Sequence, residues 1–318
     1  MKVILFLAFV FIVTARVQWG VTYPRNNDLP ATEGDAVKAK WIKVSSENCE
    51  TRYVSPKKDI VNMLIFDSKG GLAGIEVGKY EKPTEPMLSR YYHEKQFEGK
   101  TYWGLISYFV DPKSVCGQRT AGKYGDRVWW VSKKPEDNGF VKLPLTQAEA
   151  KQDPKWVLGT CILGMGIHYW YEISKDMDCK DFAPFFVMYN GGKLTTIAVG
   201  FPEAKHVTTP DSRYEHAPKW VVKRNFLEET FPVCLMRDDV AINTMHMFFT
   251  SVFSNRCQAG KQQEEKKPKN FLKCVQDCLK KKLGPQKWEA LLKKCQTNVK
   301  CYLKEAGFAG VQCGISCK

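Results

Sequence analysis

Histidine is scarce in this sequence, and its five copies in 318 residues can be considered one at a time. His168 lies in the segment 165–171, and His246 lies between Met245 and Met247. Imidazole together with thioether is a ligand set that suits copper. Methionine and aromatic residues that alternate along a strand are, however, more often core residues. Copper or another divalent metal is therefore a minor expectation at His168 and His246, and a core without a cofactor is the main one.

His93 and His216 occupy matching places in two Arg-Tyr-x-His sequences, at residues 90–93 and 213–216. One interpretation places both histidines at a pseudo-twofold interface, where they bind a metal or an anionic ligand with the arginine of each motif. The other makes Arg-Tyr a folding element that buries a ring. We favour the second, because repeated motifs usually retain folding determinants.

Sequence signatures with an assigned mechanism do not occur in the chain. There is no Gly-x-Ser-x-Gly elbow, no His-Glu-x-x-His helix, no P-loop and no Gly-x-Gly-x-x-Gly loop. We therefore expect a protein without catalysis, and keep an extracellular metal-dependent enzyme built on the four histidines as a rival.

Lysine is concentrated near the C-terminus. Residues 261–318 contain 14 Lys and 5 acidic residues, so they carry 14 − 5 = +9 of the total formal charge of +14. Such a module is attracted to anionic lipids or glycans, whereas nucleic acid is not an expected partner of a secreted protein. The residues expected at this surface are Lys280, Lys281, Lys282, Lys287, Lys293, Lys294 and Trp288.

This basic module has three possible roles. In one of them its charge only keeps the protein in solution, and the other two concern attachment to a surface. Exposed aromatic side chains would let it lie on an anionic membrane. If Trp288 is part of a small core instead, only Coulomb attraction remains, about 1 kcal/mol per Lys near the surface.

The N-terminus has the pattern of a secretory signal peptide. Lys2 precedes an apolar run over residues 3–13, too short to span a bilayer, with cleavage expected after Ala15 or, alternatively, after Gly20. A buried N-terminal strand or helix is the competing interpretation. No later run reaches the roughly 18 apolar residues of a membrane-spanning helix. We therefore expect a secreted, extracellular protein without a transmembrane segment.

Twelve cysteines follow this run, and an even number in a secreted chain predicts disulfides. They divide six and six about a charged segment, residues 259–270, which we interpret as a linker. The sequence thus predicts a β-rich module over residues 24–258 and a basic helical module over residues 271–318. The first six are Cys49, Cys116, Cys161, Cys179, Cys234 and Cys257, and the last six are Cys274, Cys278, Cys295, Cys301, Cys313 and Cys317.

The large module is predicted as two divergent copies of one unit. Leu-x-x-Ile-x-Val-Gly follows a Gly-Gly turn at residues 72–78 and again at 194–200, and an Arg-Tyr-x-His sequence comes after each. We place the copies at about 41–116 and 161–257, packed face to face in a sandwich-like arrangement. The expected fold class is therefore α+β.

Hairpins are predicted in this module where β-branched and aromatic runs flank Gly or Asn. Three such patterns occur, at residues 63–77, 127–143 and 185–199. The best helix candidate lies at residues 220–229.

The small module is predicted to consist of short helices closed by three disulfides, because about 50 residues cannot rely on a core alone. The first helix carries Cys274 and Cys278 on one face and ends at Gly284. Fifteen connectivities are possible. The simplest links the two end pairs of cysteines and leaves Cys295 to bridge Cys301.

These features together predict a secreted, disulfide-rich, basic binding or effector protein of the toxin, defence or egg-fluid type. Its β-rich module would recognise a target such as a protein receptor, and its cationic module would attach to an anionic membrane lipid or glycan. A structural matrix or mucus component held together by disulfides is a further alternative.

Overall fold

The computed structural model describes residues 19–22, 25–27, 29–117, 127–208, 210, 214–250, 255–257, 271–295, 301–302 and 305–306. The predicted signal peptide (1–15), the linker, Arg213, Cys313 and Cys317 lie outside the described residues. The described chain is mixed α+β, with two large β-sheets and a small helical C-terminal region. The predicted fold class is confirmed at that level.

The first large sheet follows a short hairpin of two strands, β1 (Trp19–Thr22) and β2 (Arg25–Asn27). Its own strands are β3 (Ile42–Glu47), β4 (Glu50–Val54), β5 (Met63–Phe66), β6 (Leu72–Lys79), β7 (Tyr92–Phe97), β8 (Lys100–Tyr108), β9 (Trp129–Val131) and β10 (Phe140–Lys142). They are antiparallel in the order β10-β9-β8-β6-β5-β4-β3, and β7 also pairs with β8.

The second large sheet is an antiparallel meander in the order β11-β12-β13-β14-β15. Its strands are β11 (Trp156–Ile162), β12 (Gly166–Tyr171), β13 (Phe185–Asn190), β14 (Lys193–Glu203) and β15 (Ala241–Phe248). Four short helices accompany the two sheets: α1 (Glu33–Lys38), α2 (Pro86–Ser89), α3 (Gln147–Gln152) and α4 (Lys219–Lys223).

The three predicted hairpins are confirmed as β5–β6, β9–β10 and β13–β14. Gly191 and Gly192 in the last of them have φ of 59° and 79°, a left-handed conformation that glycine adopts without steric cost. The predicted helix at 220–229 is shorter than expected, because α4 ends at Lys223. Phe226 leaves the helical path to form a β-bridge with Gly159 at the edge of the second sheet.

The two large sheets share one core. Phe185 of β13 contacts Tyr91 and Trp130 from the first half of the chain, with ring centroids 4.7 and 3.9 Å apart. Phe109 meets Phe249 at 5.5 Å in the same core. Aromatic pairs of this kind contribute about 0.5–1.5 kcal/mol each beyond the area that they bury. The inner faces of the sheets are thereby held together.

The same local hydrogen bonds occur in both sheets. Thr32 caps α1 and Thr146 caps α3, each through its side-chain oxygen. Leu72 at the start of β6 donates its N–H to the carbonyl of Ala31, and Leu194 in β14 donates to that of Leu145. Each capped turn is thus attached to the strand that follows the Gly-Gly turn.

Disulfides close both halves of the β-rich region. Cys49 pairs with Cys116 in the first half, whereas Cys161 pairs with Cys257 in the second. A third bridge, Cys179–Cys234, ties the segment 214–240 to the turn before β13. This segment covers the face of the second sheet that is turned away from the shared core, which we call the outer face. The residues buried between this segment and the outer face include Trp170, Phe182, Phe186, Val222, Phe226 and Leu235.

The helical C-terminal region consists of α5 (Phe271–Leu283) and α6 (Pro285–Cys295), which meet at Gly284. The predicted end of the first helix and the predicted Cys295–Cys301 bridge are both confirmed. Val275, Leu279, Leu291 and Tyr302 form a small core of their own. No helix in the described part of the chain has the length and apolarity needed to cross a membrane.

Candidate functional site

The four histidines considered as metal ligands lie in three separate places. His168 on β12 and His246 on β15 both lie on the outer face of the second sheet. His93 lies on β7 of the first sheet, and His216 is exposed after β14. Within the described residues, no three His, Cys, Asp or Glu side chains are grouped to hold a metal ion. The metal site stays a prediction, for which only His168 and His246 share a surface.

The methionines beside His246 do not join it. Met245 and Met247 are fully buried in the shared core, because successive side chains of a strand point to opposite faces. His246 therefore faces away from both thioethers. A copper site at this histidine would need other ligands than the two that flank it in the sequence.

His168 is a wholly buried residue of the outer face. Its Nδ1 lies 3.1 Å from the carbonyl of Thr160 and 3.2 Å from that of Gly166, which assigns the ring proton to this nitrogen. Burial first, and then nearby His246, lower the pKa of His168 to about 3. The ring is thus neutral near pH 7, and no residue that the structure describes hydrogen-bonds to its Nε2 atom.

His246 forms a polar group with two neighbours of the outer face. Its Nδ1 lies 3.2 Å from Oε2 of Glu215, although the approach is too oblique for a hydrogen bond. The hydroxyl of Thr244 donates to the same carboxylate oxygen over 3.3 Å. The exposed fractions of the His246 and Glu215 side chains are 5% and 17%. The negative charge of this carboxylate favours a proton on the nitrogen that faces it.

A cavity of about 60 Å³ lies beside this group, between the outer face and the segment 214–240. Its walls are mostly apolar, and Glu215, Thr244 and His246 form the polar end. The apolar lining includes Ile162, Trp170, Phe186, Val222, Phe226 and Leu235.

The structure corrects the match between the two Arg-Tyr-x-His sequences. Gly104 lies opposite the glycine that ends the first Leu-x-x-Ile-x-Val-Gly motif, and Thr244 lies opposite the glycine that ends the second. Gly104 pairs with His93, whereas Thr244 pairs with Glu215. The counterpart of His93 is therefore Glu215, one residue before the position that the sequence match selected.

His216 instead lies at the surface. Its ring stacks on His206 with centroids 4.2 Å apart, and its Nε2 lies 2.8 Å from the carbonyl of Val207. Burial first, and then the neighbouring imidazole, lower the pKa of His206. This pair was not found from the sequence, because nothing in the spacing of residues 206 and 216 indicates a stack.

A second polar cluster lies on the first sheet, on the face away from the shared core. The carboxylate of Glu76 is completely buried, with Oε2 3.3 Å from Nε of Arg52 and 3.4 Å from Nζ of Lys95. Arg52 also donates from Nη2 to Glu50 over 2.6 Å. Burial, the hydrogen bond to Glu50 and its charge raise the pKa of Tyr108. The cluster is a buried ion network that supports the sheet.

The basic residues of α5 and α6 lie on the outside of the helical region. Lys280, Lys281 and Lys282 are exposed in the last turn of α5, as are Lys287, Lys293 and Lys294 in α6. Trp288 is half-buried, and its ring stacks on Tyr302 with centroids 5.9 Å apart. Lys294 forms an ion pair with Glu305 over 2.8 Å. The module thus presents amino groups, while its described aromatic rings pack together.

Comparison of the chain with protein-family models, with curated proteins and with solved structures found no match. The functional conclusions therefore rest on the residues and their geometry.

Proposed function

We propose that this chain is a secreted, disulfide-stapled binding protein whose helical C-terminal module attaches it to anionic surfaces. The proposal is carried by one observation, the exposure of the lysines of α5 and α6 around an internal pair of aromatic rings. Residues 271–295 contain seven lysines and two acidic residues, so their net charge is 7 − 2 = +5. A surface of one sign attracts a partner of the other sign.

The attraction is electrostatic and does not require insertion of an aromatic side chain. Trp288 packs against Tyr302 and so contributes to the fold of the module rather than to a membrane anchor. Each lysine near an anionic surface contributes about 1 kcal/mol, and salt screens the effect over a Debye length of roughly 8–10 Å. Lysines in the last turns of both helices also interact favourably with the helix dipoles.

The β-rich region is the proposed recognition body, and secretion is part of the same proposal. Disulfides at Cys49–Cys116, Cys161–Cys257 and Cys179–Cys234 are typical of proteins that fold in an oxidising compartment. We infer that the segments 41–116 and 161–257 are diverged copies that pack in a sandwich-like way. Support comes from the shared meander order and from a bridge that closes each half.

Binding of the full chain to vesicles tests the attachment. Phosphatidylcholine vesicles with and without phosphatidylserine are sedimented with the protein at increasing salt. Strong binding is expected only to the anionic vesicles and only at low salt. A variant with Lys280→Gln, Lys281→Gln and Lys293→Gln is expected to bind about two orders of magnitude more weakly, since three lysines contribute about 3 kcal/mol.

The matched control removes three exposed lysines of the first half of the chain, by Lys43→Gln, Lys82→Gln and Lys100→Gln. Its net charge equals that of the first variant, and it should bind as the unchanged protein does. Equal losses in the two variants would show that total charge, not the helical module, drives attachment. Retention on heparin without vesicle binding would identify an anionic glycan as the surface and reject the lipid.

A further inference from the structure

The cavity on the outer face of the second sheet lies under a segment that is not part of either sheet. The segment 214–240, with α4 and the Cys179–Cys234 bridge, passes over β12, β13 and β15 and borders a partly open cavity of about 60 Å³. Protein interiors contain few voids larger than a water molecule. A void of this size holds about two waters, or a group of a few heavy atoms.

Most of the cavity wall is apolar. The sheet contributes Trp170, Phe186 and Ile242, and the cover contributes Phe226 and Leu235. A wall of this kind offers water few partners and favours an aliphatic or aromatic group.

The polar end of the cavity presents an unpartnered nitrogen. The Glu215 carboxylate lies 3.2 Å from Nδ1 of His246 and favours the tautomer that carries its proton there. The opposite nitrogen, Nε2, is then a hydrogen-bond acceptor. Among the described residues none hydrogen-bonds to this Nε2, although His246 is only 4% exposed and lines the cavity. Nδ1 is the ring nitrogen that is buried without a hydrogen bond, so Nε2 is the one that a donor in the cavity is able to reach.

The wall of the cavity reaches the protein surface at α4. Arg224 lines the cavity, and its guanidinium lies 5.5 Å above the ring of Trp220. Trp220 itself is 57% exposed.

We propose that the cavity binds a short apolar group that carries one hydrogen-bond donor, a hydroxyl or an amino group, and that this donor bonds to Nε2 of His246. The apolar part of the ligand contacts Trp170, Phe186 and Phe226. Glu215 acts as a positioning residue, because its charge favours the tautomer that carries the proton on Nδ1. This site is independent of the lysines of α5 and α6.

The experiment uses the full chain with its disulfides intact and with ¹⁵N in the histidine rings. The probes are 1-butanol and methyl propyl ether, two isomers of which only the alcohol has a donor. A saturable shift of the His246 Nε2 signal is expected with 1-butanol, with binding of the ether about tenfold weaker. In His246→Phe, which keeps a ring but lacks the acceptor and its signal, the two probes are compared by equilibrium dialysis and should bind equally.

A second variant tests the location of the site. Ala217→Leu adds side-chain volume at a residue that lines the cavity, and should abolish the shift. Ala204→Leu makes the same change at an exposed residue and should leave the shift unchanged. The proposal is overturned if the alcohol and the ether bind equally, if the shift does not saturate, or if it survives Ala217→Leu. Butylammonium distinguishes the two donors: stronger binding than that of 1-butanol identifies an amine, and weaker binding identifies a hydroxyl.

Discussion

Gly104 is a position in the first sheet where a single added methyl group is expected to be strongly destabilising. A Cβ atom at this residue would overlap Oε1 of Glu76 and would lie 2.7 Å from its Cδ and 2.8 Å from its Cγ. Cβ contacts below 3.0 Å essentially do not occur in proteins. Gly104→Ala therefore forces the buried carboxylate of Glu76 to move away from its place over β8.

The free energy lost in this movement can be worked out from the ion pairs that Glu76 makes. Its Oε2 lies 3.3 Å from Arg52 and 3.4 Å from Lys95, and the side chain has no exposed surface. Hydrogen bonds to charged groups contribute about 1.5–3 kcal/mol each, and breaking a buried ion pair costs about 3–5 kcal/mol. We expect Gly104→Ala to lower the free energy of unfolding by about 3–5 kcal/mol.

The assay is urea denaturation of the disulfide-intact protein, combined with a double-mutant cycle. In a Glu76→Ala background the clash is absent, so adding Gly104→Ala should cost less than about 1 kcal/mol. Gly34→Ala in α1 is the control, because its nearest contact is 3.8 Å away and alanine favours the helix by about 0.5–1 kcal/mol. An equal cost of Gly104→Ala with and without Glu76 would refute the steric argument.

Two further predictions concern the second half of the chain. Replacement of Cys161 and Cys257 by alanine should lower the free energy of unfolding, measured in urea, by about 2–5 kcal/mol, because the bridge joins residues 96 positions apart. An unchanged free energy would argue against the idea that this bridge closes the second half of the chain. The pKa of His168 is about 3 in the folded protein, against an ordinary value of 6.5. As the pH falls, the unfolded chain therefore takes up this proton first, and the free energy of unfolding decreases from about pH 6.5 towards pH 3. His168→Phe should flatten that part of the stability profile, and an unchanged slope would show that other groups cause it.

The hairpins could be predicted from sequence because their turns have a local cause. Gly191 and Gly192 supply the left-handed backbone that the β13–β14 turn requires, and the flanking residues alternate or are β-branched. The predicted helix at 220–229 is too long for the opposite reason. Its end is decided by the bridge from Phe226 to Gly159, a residue more than sixty positions earlier, which no local pattern records.

The sequence contains a stronger sign of the repeated unit than the two motifs on which the prediction rests. Leu-Pro-x-Thr occurs at residues 29–32 and 143–146, just before the capped turns of α1 and α3, and a tryptophan follows at positions 41 and 156. The N-cap threonine and the hydrogen bond to the hairpin depend on these residues. Glu76 and Glu215 could not be found in this way, because a carboxylate on a strand becomes a buried partner only through neighbours from other strands.

The outer faces show how one framework supports different chemistry. Glu76 lies between the Ile and Val of the first Leu-x-x-Ile-x-Val-Gly motif, and Ala198 occupies the same place in the second. On the first sheet that carboxylate requires Arg52 and Lys95 as partners and excludes a side chain at residue 104. On the second sheet the small alanine requires no such partners.

The freed space on the second sheet lies between Phe186 and His246, which flank Ala198 across the strands. Aromatic side chains and the segment 214–240 cover this region instead of an ion network. A buried ion pair contributes little net stability, so its replacement by apolar packing is energetically permitted. The replacement leaves the His246 imidazole beside a small apolar space, with no described residue hydrogen-bonded to its Nε2, and that combination is better suited to holding a ligand than to stabilising the sheet.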